Sequence, residues 1–372
     1  MDLINQSVKK WDHDPKISGA AKYVDDLRIK DMVHGKILRS TIASGTIKEI
    51  RIPTLPEGYL IVDQHDIPGK NNVHIVDDDS PCYSDGTVNF VGEAILMVVG
   101  EDMKVLDKIL SEIVVVYEEH TPVLDMMKSD VIFYQYGYTK GDPDQAFQEA
   151  DQILDETFTT GYQEHIYMEV QGMIGFYKDG KSTVRGSMQC PYYVHSAVKM
   201  VMGLPDQQVQ IIQDEMGGAF GGKEDYPSIL GAQVAVAAKK AGRPVKCVLD
   251  RREDITCTSK RHPATMHYRA AIKDKKITAI DAYAVYDCGA FTTLSKVVLQ
   301  RGLIGATGVY TFDNIRVNGK GVRTNTTPNG AFRGFGGPQT FFAIEMFMNH
   351  IARAIGKDPF ELKQQYLSKK GD

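Results

Sequence analysis

Residues 216–224 read Met216-Gly217-Gly218-Ala219-Phe220-Gly221-Gly222-Lys223-Glu224 and follow directly on a strand-like run, Val209 to Gln213. Four glycines in six positions let the backbone come close to whatever it faces. The spacing from Gly217 to Gly222-Lys223 imitates a phosphate-binding P-loop. Glu224, however, stands where that loop needs Ser or Thr to reach Mg²⁺, and a carboxylate there repels a triphosphate. The dinucleotide pattern G-x-G-x-x-G fails as well, because Ala219 takes the place of its second glycine. A structural glycine turn is the plain alternative. Downstream, Ile229 to Ala241 is predicted to be a helix stopped by Gly242 and Pro244, so the loop joins a strand to a helix.

A second glycine loop, Ala331-Phe332-Arg333-Gly334-Phe335-Gly336-Gly337-Pro338-Gln339, leads into a helix. Phe341, Ile344, Met348, Ile351 and Ile355 step by three and four residues and mark that helix's buried stripe. Backbone N–H groups at such a loop can hold an anion, although a helix start with buried aromatics explains it equally. Gly161-Tyr162-Gln163-Glu164-His165-Ile166-Tyr167-Met168-Glu169 sets an amide, a carboxylate and an imidazole side by side after a predicted strand. H-E-x-x-H spacing is absent, and His262 with His267 lacks a third ligand nearby, which disfavours a metal held by side chains. His165 by itself reads as a core or turn histidine. Arg301 sits inside the apolar stretch Val297 to Val309, where a buried charge must be paired or face a cavity.

Around these loops the chain alternates strands and helices. Before Pro122, strands are expected at His34–Ser40, Tyr59–Asp63, Thr87–Val91, Ala94–Val99 and Val114–Tyr117. A helix over Asp102–Ile113 carries Val105, Ile109 and Ile113 on one face. Residues 123–145 show no sustained periodicity and read as a linker, which divides the chain into 1–122, the linker, and 146–372. The fold class is mixed α/β.

Composition narrows the function classes. The 372 residues are 42% hydrophobic and 24% charged with a formal charge of -5, as in folded globular proteins. No basic run offers a footprint for nucleic acid, and no apolar run is long enough to span a membrane. Five cysteines without C-x-x-C spacing disfavour a disulfide framework and an internally ligated iron–sulfur cluster. Polar residues 1–10 lack the apolar core of a signal peptide, so a cytoplasmic location is expected.

In combination these segments resemble the molybdenum hydroxylases of the xanthine dehydrogenase and aldehyde oxidase family. The resemblance rests on Gln163-Glu164-His165 with Glu169, the Gly217–Glu224 loop, Arg261-His262-Pro263, and Pro328 through Gly336. Asp14-Pro15-Lys16, Gly19 to Tyr23 and Asp25-Asp26 resemble the start of that family's α/β hammerhead domain, which here would precede the first part of a molybdopterin-binding domain. The resemblance implies a molybdenum–molybdopterin cofactor held by its dithiolene. It implies that Gln163 hydrogen-bonds an oxygen ligand of the metal and that the backbone of Phe220 and Gly221 approaches another. Ala331, Phe332 and Arg333 would line the metal and pterin side.

The same resemblance speaks to substrate. Purine-hydroxylating relatives carry a glutamate and an arginine at the positions of Glu224 and Arg301, where aldehyde-oxidising ones tend to be apolar. A purine such as xanthine or hypoxanthine is therefore expected, with Phe335 packed on its ring; nicotinate, a pyrimidine or an aldehyde is the alternative. The family's molybdenum-binding portion is about twice this length, and its later half supplies further pterin loops and a glutamate base. The implied partners are thus a C-terminal molybdenum-binding half, a [2Fe-2S] subunit and an FAD subunit. A truncated, non-catalytic fragment or assembly domain is the rival reading.

Overall fold

The computed structural model describes residues 5–370, so the ends of the polar amino-terminal segment and of the polar tail lie outside the described residues. Along the chain come helix α1 (His13–Ser18), strands β1 (Val33–Arg39), β2 (Gly45–Arg51), β3 (Leu60–Val62), β4 (Thr87–Val88) and β5 (Ala94–Gly100), helix α2 (Met103–Glu112) and strand β6 (Val114–Glu119). Strand β7 (Ile132–Lys140), helix α3 (Pro143–Gln148), strands β8 (Gln152–Thr160), β9 (Gly172–Lys178) and β10 (Lys181–Gly186), helix α4 (Pro191–Met202) and strand β11 (Val209–Gln213) follow. The remainder is α5 (Tyr226–Ala241), β12 (Val245–Val248), α6 (Arg251–Cys257), β13 (Ala264–Lys273), β14 (Lys276–Gly289), α7 (Ser295–Ile304), β15 (Asn314–Arg323), α8 (Gly337–Ala354) and α9 (Pro359–Tyr366).

Among the described residues the strands form three sheets. The largest runs β11-β10-β9-β12-β1-β5-β3, the second β7-β15-β14-β13-β8, and the third β4-β2-β6. Helices α4 and α5 cover the first sheet through a core that includes Val184, Val198, Leu230 and Val234. Helix α5 is buried on nearly every side and approaches β9 so closely that a Cβ on Gly175 would lie 2.2 Å from the Val234 carbonyl oxygen. Helices α7 and α8 pack on the second sheet around Tyr268, Tyr286 and Phe347. The face of α2 toward β5 buries Leu106 and Ile109, joined by Ile113 just past the helix end, with Val105 packed at its margin.

Residue 122 does not divide the hydrogen-bonding network. Strand β1 pairs in parallel with β12, Val33 opposite Val245, so the first sheet takes strands from both sides of it. The segment 123–145 is also not a featureless linker. Tyr134, Tyr136 and Tyr138 alternate along β7, which pairs antiparallel with β15 from Ile132 opposite Val322 to Lys140 opposite Ile315. Its sidedness is period two, and Tyr134 and Tyr136 pack against the second core. Along α8, Ile344, Met348 and Ile351 are buried as the spacing implies, but Phe341 is 46% exposed. At that turn the inward positions are Thr340, Ala343 and Phe347.

Candidate active site

Both glycine loops lie together at one place. The first leaves β11 and ends at Asp225, whose Oδ1 accepts the Tyr226 backbone N–H at 2.7 Å and caps α5. The second precedes α8. They meet through the Arg333 backbone N–H, which donates to the Phe220 carbonyl at 2.9 Å. At Gly221, φ is +104° and a Cβ would lie 2.7 Å from the Ala331 carbonyl oxygen, so this contact requires glycine. Phe220 and Phe335 adopt left-handed conformations, φ 55° and 52°, a strain on non-glycine residues that the surrounding contacts must sustain.

Hydrogen bonds fix the first loop from below. Gln189 Oε1 accepts from the backbone N–H of Gly221 at 2.9 Å and of Lys223 at 3.3 Å. Lys223 is fully buried, and its Nζ donates to Glu169 Oε2 at 2.8 Å and Ser187 Oγ at 2.9 Å. Glu169 also accepts the Gly217 N–H at 2.8 Å, so the loop's start and its lysine share one carboxylate. Burial lowers the Lys223 pKa, and Glu169 opposes that shift.

The Gln163–Glu169 segment ties in from the side. His165 is buried, with Nε2 2.7 Å from the Ala331 carbonyl oxygen and its ring stacked on Phe332 at 4.4 Å, which makes it the structural histidine its sequence context suggests. Gln163 is exposed, and its Oε1 accepts from Arg261 Nε at 2.5 Å. Arg261 Nη2 donates to the Arg333 carbonyl at 3.0 Å, and its guanidinium lies over the Phe332 ring at 4.0 Å.

The predicted site residues thus fall into two groups. Gln163, Phe220, Gly221, Ala331, Phe332 and Arg333 form one connected patch; Gln163, Phe220 and Arg333 open to solvent, whereas Gly221 and Ala331 are buried. Glu224 is part-buried at the loop's end, its backbone N–H bonded to the Gly221 carbonyl. Burial, with the neighbouring Asp225 charge, pushes its carboxyl up to about 7. Phe335 packs against both large cores. Arg301 differs from the expectation of a buried charge. Helix α7 turns Val298, Leu299, Gly302 and Leu303 inward and leaves Arg301 exposed, so no burial cost demands a partner. Among the described residues, no hydrogen bond or ion pair joins Arg301 to Glu224.

Two contributors carried no assigned role in the sequence. Gln189, in Met188-Gln189-Cys190-Pro191, has no motif to mark it. Arg261 stands within the Arg261-His262-Pro263 motif, yet only the fold shows that it reaches Gln163 and Arg333 together.

Residues 125–367 match the family described as molybdopterin cofactor-binding domain. Residues 18–121 match the aldehyde oxidase and xanthine dehydrogenase a/b hammerhead domain. The chain belongs to the molybdenum hydroxylase family, as a hammerhead domain followed by a molybdopterin-binding domain. It is 32% identical to the nicotinate dehydrogenase large molybdopterin subunit of Eubacterium barkeri over 97% of this chain and 88% of that protein. It is also 32% identical to a probable xanthine dehydrogenase chain of Bacillus subtilis, covering 96% of this chain and 50% of that one. Among solved structures, the aldehyde oxidoreductase of Desulfovibrio gigas superposes with a TM-score of 0.87 at 25% identity, over 97% of this chain and 43% of its own. Among the described residues, no helix is long and apolar enough to cross a membrane.

Proposed function

We propose that this chain is the part of a cytoplasmic, multi-subunit molybdenum hydroxylase that binds and orients an electron-poor N-heterocycle, a purine of the xanthine type, with water as the oxygen source. The observation that carries the reading is Glu224: a part-buried carboxyl poised near 7, on the loop whose backbone joins the Phe220–Arg333 contact. Near neutrality it can donate to or accept from a ring nitrogen and so fix the orientation of the ring.

The residues present fit the cofactor. Gln163 turns its oxygen toward Arg261, which leaves the amide NH₂ as a donor on the open side. Beside it lie the exposed Arg333 and the strained backbone at Phe220 and Gly221, and these with Ala331 and Phe332 would hold the group. When bound, the molybdenum cofactor supplies the oxidation chemistry. Phe335 offers an aromatic surface to a planar substrate. Arg301 stabilises negative charge developing on the ring.

The chain spans most of one relative and about half or less of the others. The partners are a C-terminal molybdenum-binding half, a [2Fe-2S] chain and an FAD chain. Five unpaired cysteines suit a reducing compartment. A second reading is favoured by the nicotinate dehydrogenase likeness: a pyridine carboxylate could pair with Arg301 as readily as a purine oxygen.

The test is molybdenum analysis of the natively purified assembly, followed by turnover of purines, nicotinate and aldehydes. Arg301→Met should lower purine turnover about 10²–10³-fold, the usual cost of losing one preorganised donor, while sparing aldehydes. Equal loss on both classes refutes the purine assignment. Absence of molybdenum from the assembly supports a non-catalytic role instead.

A further inference from the structure

Arg261 is 7% exposed, and no carboxylate lies within ion-pair distance of it among the described residues. Its neighbour Lys260 takes the nearby carboxylate, with Nζ 2.7 Å from Glu164 Oε2. What Arg261 meets is neutral: Gln163 Oε1 at 2.5 Å, the Arg333 carbonyl at 3.0 Å and the Phe332 ring at 4.0 Å, while Nη1 is buried with no partner among the described residues. Its backbone N–H also donates to the Gln163 carbonyl at 3.1 Å, so the two segments run side by side. Burial alone lowers its pKa. A buried cation kept against neutral acceptors is costly, and packing alone would be served by an apolar side chain.

The chemistry of the contact gives it a use. An amide has an accepting end and a donating end of nearly equal size, and an exposed glutamine can present either. A guanidinium only donates, so the end of Gln163 that faces Arg261 must be its oxygen. The donating NH₂ is thereby the end left for the open side.

We infer that Arg261 is a positioning residue that holds Gln163 with its NH₂ outward, toward an oxygen ligand of the cofactor, and excludes the flipped amide, whose oxygen would oppose that ligand. This rests on the reading that Gln163 addresses the metal centre. The second arm of the fork, on the Arg333 carbonyl, sets that orientation relative to the other glycine loop. Lysine, with one nitrogen at the end of its stem, cannot span both acceptors in a plane while stacking on Phe332.

The experiment compares Gln163→Ala, Arg261→Met, Arg261→Lys and the double variant Gln163→Ala/Arg261→Met in the assembled enzyme. Molybdenum content, the Mo(V) electron paramagnetic resonance spectrum, kcat and KM are read for each. Loss of a partner that orients a metal-facing group costs about 10–100-fold. Arg261→Met is expected to lose kcat in that range with KM and molybdenum content held, and to shift the Mo(V) spectrum in the same sense as Gln163→Ala. The double variant should be no worse than Gln163→Ala alone, because Arg261 then has no amide to orient. Arg261→Lys should recover part of the loss, and should it alone fold, a kcat loss with a Mo(V) shift still supports the inference.

Fully additive losses in the double variant overturn the inference, as does unchanged kcat in either Arg261 variant beside a damaged Gln163→Ala. Wild-type kcat and spectrum in Gln163→Ala would instead overturn the placement of Gln163 at the metal, and the two failures are thus distinguishable.

Discussion

Removing the carboxylate of Glu169 should unfasten the first glycine loop and strand a charge in the interior. Glu169 is the only anionic partner of the fully buried Lys223 among the described ion pairs, at 2.8 Å, and it also accepts from the Ser187 hydroxyl at 2.6 Å and the Gly217 N–H at 2.8 Å. Breaking a buried pair from one side costs about 3–5 kcal/mol, mostly because the remaining charge is uncompensated. With an unfolding entropy of about 2.1 cal/mol/K per residue, a chain this long has a transition entropy near 0.8 kcal/mol/K, so Glu169→Ala should lower Tm by about 4–6 °C. Calorimetry or urea titration of the purified protein measures this. Adding Lys223→Met should restore most of the loss, since an apolar replacement of a buried pair is often neutral. A Tm within about 1 °C of the parent for Glu169→Ala, or a double variant no more stable than the single, would refute the idea that an uncompensated lysine drives the effect.

Other outcomes follow from the same geometry. Glu224 and the buried Glu93 both have carboxyls raised by burial to about 7 from an ordinary value near 4.5. Between those values the folded state holds protons that the unfolded chain has released, so this contribution to stability is present at acid pH and declines as pH rises through 7. Glu93→Gln and Glu224→Gln should each flatten the stability–pH curve between about pH 4.5 and 7, as read by denaturation at a series of pH values. Gly221→Ala should destabilise by about 1–3 kcal/mol, combining a left-handed φ with the 2.7 Å approach to the Ala331 oxygen, and should lower molybdenum content. A Gly221→Ala protein of parental Tm and metal content would show that the two loops need not touch.

What the sequence disclosed depended on how local each signal was. Helix α5 was legible because Gly242 and Pro244 punctuate its end, and α8 because its stripe keeps a 3.6 period. The glycine loops announced themselves by composition. Strand β7 did not, although its tyrosines alternate, because an edge strand with several polar or exposed positions resembles a loop until its partner β15 is known. Strand β15 hides similarly, with Gly319 and Gly321 in its interior. Arg301 misled for a related reason: hydropathy averaged over Val297–Val309 is apolar, whereas the exposed face of α7 depends on a rotation that the average discards. Arg261 needed contacts across about 100 residues to Gln163 and 72 to Arg333, which no local pattern encodes.

The parallel seam between β1 and β12 also bears on how the protein emerges from the ribosome. β1 can close on β5 once that strand is made, but Val33 and His34 on its other edge wait for β12 while roughly 145 further residues are made, about 7–30 s at ordinary elongation rates. Throughout that interval the start of β1 carries unpaired backbone donors and acceptors on that edge, the condition under which nascent chains pair with one another. Yield from rapid overexpression should therefore respond to translation speed and growth temperature more than to the stability of the finished fold.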